Sequence, residues 1–225
     1  MFDKFNFYDF LGYVLPGAAV SLTVYWVGKT AFHIPFPDLG ADLTTSFVFL
    51  GISYVVGHLV QGLGSIYERG QLKEGKGLEE WLLMKDVPEL RAVDRFPDDV
   101  VKRIQTIGKD VFGTGGDTEI FNEAYALIVQ KSLAQHTEIF LAMKGLARGM
   151  LIATYIGLLI GALVAFEELL LRKYEWALVA GAAMLALVPI AVLFEREFNR
   201  FRMYFTKSVY WNVLAWYADK KMGAN

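Results

Sequence analysis

The chain has no cysteine. That excludes a disulfide framework, a thiolate metal site and a cysteine nucleophile. Only three histidines are present, His33, His58 and His136, and they are scattered, so no metal-ligand spacing emerges. Charge of one sign is also missing: 22 basic residues stand against 24 acidic ones over 225 residues. There is no basic excess to meet a phosphate backbone, and nucleic acid is not an expected partner. No Gly-x-Ser-x-Gly, His-Glu-x-x-His or P-loop pattern occurs. An enzymatic role and a bound cofactor are therefore not expected. No internal repeat of the kind that builds inverted-repeat transporters is visible either.

What the chain does have is apolar residues, 55% of the total, with a mean hydropathy of +0.36. The excess is gathered into four blocks with the charge between them: Phe10 to Gly28, Thr44 to about Ile66, Leu146 to Phe166, and Tyr174 to Phe194. A hydrocarbon core of about 30 Å needs roughly 20 such residues in a helix, so each block predicts a membrane span. Only three of the 22 basic residues, Lys29, Arg172 and Lys173, fall in the two short loops joining blocks one to two and three to four. The other 19 lie in the N-terminus, the central segment and the tail, counting Arg148 at the inner end of block three. The positive-inside rule then predicts both termini and the central segment on the cytoplasmic side.

The expected fold class is thus an all-α membrane protein with four transmembrane helices. Its parts are a first span pair over 1–68, a cytoplasmic helical segment and stalk over 69–145, a second span pair over 146–194, and a tail over 195–225. In the central segment, Gly70, Gly75 and Gly77 predict a loop, followed by a short helix from Leu78 that Pro88 ends. Pro97-Asp98-Asp99 predicts a helix start, with Val100, Ile104, Ile107 and Val111 as its apolar stripe. The Gly113–Gly116 turn predicts its stop, and Asp117 or Thr118 the cap of the next helix. No strong breaker follows before Phe166. A continuous helix of about 75 Å and a bend at Gly145 and Gly149 both stay open. In the tail, Phe198, Phe201, Phe205, Val209, Val213 and Trp216 recur at helical spacing. They predict an amphipathic helix at the membrane surface or packed on the stalk. Plain continuation of the fourth span is the alternative.

Three sets of residues stand out as sites. His58, Gln61 and Ser65 fall at i, i+3 and i+7 in span two, a polar face that suits a pore or gate. Interhelical hydrogen bonding explains the same residues equally well. Ala153, Gly157, Gly161 and Ala165 form a small-residue stripe in span three, which predicts close helix packing or an oligomer interface. Arg148, Arg200, Trp211 and Trp216 are the expected membrane-interface anchors, with Asp9, Glu138 and Lys144 near the same boundary.

Two stretches, Phe7-Tyr8-Asp9-Phe10-Leu11-Gly12-Tyr13-Val14-Leu15-Pro16-Gly17 and Tyr54-Val55-Val56-Gly57-His58-Leu59-Val60-Gln61, resemble those of small four-span bacterial inner-membrane proteins. Some of these are similar to the membrane components of anti-phage defence modules, Kiwa-type systems among them. The resemblance implies a homo-oligomeric effector that forms a regulated pore or perturbs permeability. A non-conducting sensor or scaffold, docking a cytosolic partner protein or signalling ligand through the central segment, is the other reading. In both, the lipid bilayer is a partner.

Overall fold

The structure is a computed structural model that describes residues 10–39, 42–71, 78–83 and 95–222. Every regular element in it is helical, and no strand occurs among the described residues. In chain order, α1 (Phe10–Thr30) opens with a π turn over Phe10–Val14. It is followed by α2 (Leu43–Gly70), α3 (Leu78–Trp81), α4 (Asp98–Ile107), α5 (Asp117–Gln130), α6 (Gln135–Leu170) and α7 (Tyr174–Met222). Four of these, α1, α2, α6 and α7, are long and apolar enough to cross a membrane, which supports a multi-pass membrane protein. The expected loop glycines at 75 and 77, Pro88 and the boundary residue Asp9 lie outside the described residues.

The chain divides into two compact units. The first comprises Met1–Glu68 with Ala142–Asn199, the second Arg69–Leu141 with Arg200–Asn225. In the first unit the spans meet through small residues. Ser53 and Gly57 of α2 face Gly17 and Tyr13 of α1 so closely that a β-carbon on Gly17 would overlap the Ser53 carbonyl. It would also stand 2.6 Å from the Gly57 nitrogen. Only glycine admits this backbone approach. Gly149 of α6 packs on Pro16 and Gln61 in the same way, its would-be β-carbon 2.6 Å from each side chain. A β-carbon on Gly161 would stand 2.8 Å from Met184 of α7 and one on Gly157 3.4 Å from Leu187, so α6 and α7 run antiparallel along the small-residue stripe.

The second unit has its own hydrophobic core. Val100, Ile104 and Ile107 of α4 pack with Ile120, Ala124 and Ile128 of α5. Leu82 and Leu83 and, from α7, Phe205, Val209, Tyr210 and Val213 close it. The Asp98-Asp99 start and the Val100/Ile104/Ile107 stripe stand where expected, with Pro97 as the α4 N-cap. Gly113 ends the following π turn in the left-handed conformation, φ 68°. Neither Asp117 nor Thr118 caps α5: Gly116 takes that place, and the Thr118 hydroxyl donates instead to Glu80.

One expectation is corrected here. The helix from Asp117 is neither continuous to Phe166 nor bent first at Gly145. It stops at Gln130, where the Leu133 N–H bonds the Ile128 carbonyl at 2.8 Å and the Ser132 N–H bonds the Val129 carbonyl at 3.1 Å. This is a Schellman stop, with Ser132 rather than glycine in the left-handed position at φ 56°. A serine carries no such signal in a sequence. The tail packs on the central helical segment, one of the two placements expected for it, and does so as a continuation of the fourth long helix. Alpha7 runs from Tyr174 through Pro189 to Met222 without a break, and the tail's aromatic face is spent on the second unit's core.

Candidate functional site

The register of the first unit sets the depth of its polar groups. Gln61 of α2 lies beside Gly12 at the start of α1 and Gly145 near the start of α6's apolar stretch. These three mark one edge of the apolar slab. From Arg148 to Glu168, near the far end of α6, there are twenty residues, about 30 Å of helix. That length equals a hydrocarbon core.

At the first edge the polar groups form a closed network. Gln61, only 8% exposed, uses its whole amide. Its Nε2 donates to the Gly12 carbonyl at 2.6 Å and to the Gly145 carbonyl at 2.8 Å. Its Oε1 accepts from Arg148 Nε at 3.2 Å and Arg148 Nη2 at 2.8 Å. Two donors and two lone pairs are all that an amide has, so Gln61 is saturated. Arg148 Nη1 then donates to Glu68 Oε2 at 2.6 Å, and the other carboxylate oxygen of Glu68 pairs with Lys144 Nζ at 2.6 Å. One carboxylate between two cations, each under 20% exposed at the side chain, ties α2 to α6. In this half-buried setting the desolvation of three charges is offset only because every contact is short and direct.

Local structure explains why these atoms meet. Lys144 and Arg148 are four apart on α6 and share a face. The π turn at Phe10–Val14 perturbs the α1 hydrogen-bond ladder where the Gly12 carbonyl turns to Gln61. Two residues further along α2 than Ser65, Tyr67 donates to Glu195 of α7 at 3.2 Å and lies edge-on to Tyr155 of α6, centroids 6.2 Å apart. The same edge is thus fastened to all four long helices.

The predicted polar face of span two is divided by this arrangement. Gln61 turns inward to Arg148, while the Ser65 hydroxyl bonds its own helix at the Gln61 carbonyl, 3.0 Å away. His58 is exposed on the outside. Its ring stacks on Tyr13, centroids 4.2 Å apart, and meets Tyr54 edge-on at 4.6 Å. It lies three residues, about 4.5 Å of rise, on the apolar side of Gln61. A three-residue step rotates a side chain by roughly 60° about the helix, enough to separate an inward amide from an outward imidazole.

Among the other expected residues, Ala153 and Gly157 are buried in the first unit, and Gly161 and Ala165 are half-buried. Arg148 is a network member and not a snorkelling anchor. Arg200 instead lies over the Tyr204 ring at 5.5 Å, Trp211 is exposed beside Phe96, and Trp216 carries Lys220 at 5.3 Å from its ring. Glu138 is exposed in the second unit. Sequence reasoning had placed Lys144 and Arg148 near the boundary but left out Glu68. The available signal was an acid closing one span opposite an i, i+4 basic pair opening another. No group of three or more potential metal ligands occurs among the described residues.

No known protein family, characterised protein or solved structure matches the chain.

Proposed function

We propose that this protein is a homo-oligomeric, multi-pass membrane effector of the bacterial inner membrane, with both termini cytoplasmic, whose second span lines a regulated path between protomers. The observation that carries this is the outward face of α2. It presents the His58 imidazole with Tyr13 and Tyr54, on a helix side where Gly51 and Gly62 have open space around them. An ionisable ring turned toward hydrocarbon is costly, and such groups belong against protein or water. A second copy of α2 approaching across the open glycines supplies both. The saturated Gln61 amide is left out of the path and acts as its scaffold. A permeability function in defence against phage accords with the resemblance of the first two spans.

The chain's lack of cysteine gives a clean test. Gly62→Cys protein in native membranes forms a disulfide-linked dimer on mild oxidation, and Ala153→Cys, buried inside the first unit, does not. Purified protein in liposomes conducts ions when activated, and His58→Leu changes that flux by about tenfold or more. A chain that neither crosslinks nor conducts under any condition refutes the reading.

The second unit favours a second reading, a docking platform for a cytosolic protein. Val129 and Leu133, which flank the Ser132 turn, are exposed although the unit has a full core beneath them. Val129→Ser with Leu133→Ser removes a co-purifying partner if they form that surface. Deleting residues 78–112 is a poorer test, because it removes part of the core itself.

A further inference from the structure

At the other edge of the apolar slab, Glu168 is only 7% exposed, and its Oε2 has no hydrogen-bond donor. The nearest cation, Lys173 Nζ, stands 3.7 Å away, within ion-pair range and beyond a hydrogen bond. The chain brings it there by a second Schellman turn. The Lys173 N–H bonds the Glu168 carbonyl at 2.8 Å and the Arg172 N–H bonds Leu169 at 3.1 Å, with Arg172 left-handed at φ 59°. Glu168 faces a cavity of about 130 Å³ whose walls also include Trp26, Thr30, His33, Lys173 and Trp176.

A carboxylate withdrawn from water without a donor is destabilising, and a ligand that brings a donor removes that cost. The surroundings define the ligand. The carboxylate beside two tryptophans suits an alkylammonium. Lys173, half-exposed at 52%, offers a cation for an anion attached to it. The depth, about 30 Å along α6 from Arg148, is that of lipid headgroups, where tryptophan is enriched. We propose that this cavity holds the primary ammonium of a zwitterionic phosphoethanolamine headgroup, as in phosphatidylethanolamine, with Glu168 on the ammonium and Lys173 on the phosphate. A trimethylated ammonium has no N–H for the Oε2 atom, and phosphatidylglycerol has no ammonium, so the site discriminates against both.

Native mass spectrometry of the full-length protein in non-ionic detergent tests this with three lipids of equal chain length. Phosphatidylethanolamine is retained about tenfold over phosphatidylcholine and phosphatidylglycerol, Glu168→Gln abolishes the preference, and Lys173→Ala weakens retention. Equal retention of the three lipids by the wild-type protein overturns the proposal without recourse to any variant. A preference unchanged in Glu168→Gln overturns it as well. Competition by soluble phosphoethanolamine at millimolar concentration would overturn the lipid source.

Discussion

Replacing Gly17 by alanine adds one methyl group to the closest backbone contact in the first unit. That methyl would overlap the Ser53 carbonyl oxygen and lie 2.6 Å from the Gly57 nitrogen and 2.9 Å from its α-carbon. An ordinary carbon contact is about 3.5 Å, so relieving the overlap parts α1 and α2 by more than about 1 Å. A gap of that size forfeits about half or more of the dispersion attraction along the seam. Overpacking of this kind costs about 1–3 kcal/mol, and a clash with backbone on both sides belongs at the upper end. Alanine's helix preference returns at most about 1 kcal/mol. The control is Gly51→Ala on the same α2 helix, where nothing lies within 4 Å of the added carbon. It keeps the propensity gain without the clash. Thermal unfolding in detergent, followed by circular dichroism, should therefore show Gly17→Ala melting well below wild type and Gly51→Ala at or above it. Equal melting of the two variants would refute the close α1–α2 crossing and the register built on it.

Three further outcomes follow from the same structure. Gln61→Leu strands two carbonyls and two guanidinium N–H groups, and should cost about 2–4 kcal/mol in the same assay, partly relieved by water at the membrane edge. Ile128→Ala, at a fully buried position of the second unit, should cost about 3 kcal/mol. Hydrogen exchange should then rise over 117–130 and not over 15–30; a rise in both would mean the units unfold together. Burial, and then the charge of Glu138, raise the Tyr125 phenol above its usual value near 10. The folded state holds that proton longer than the unfolded chain, so stability is fully present below about pH 10 and falls as pH rises toward the folded value. Tyr125→Phe should flatten the alkaline limb of a pH–stability curve; an unchanged limb assigns it to other groups.

The number of helices long and apolar enough to cross a membrane was legible in the residues, because run length and hydropathy are local properties. So was the α4 start, where proline and paired aspartates act on their own turn. Helix ends without glycine were not legible. Ser132 and Arg172 adopt left-handed backbone on the strength of two hydrogen bonds each, and the second of these turns is what carries Lys173 back over Glu168. The spacing of His58, Gln61 and Ser65 suggested a single face. Which way each points depends on the antiparallel register of three spans, a property that no one segment contains. By itself the sequence determined that this is a chain of four apolar helices with helical material between and after them, since burying about 20 apolar residues per span admits little else. Only the tertiary structure decided that one amide and three charges close a network at one edge, that a histidine faces outward beside it, and that a buried carboxylate lines a cavity at the other. Those outcomes follow from how closely glycine lets the helices approach, and that distance sets which polar atoms can reach one another.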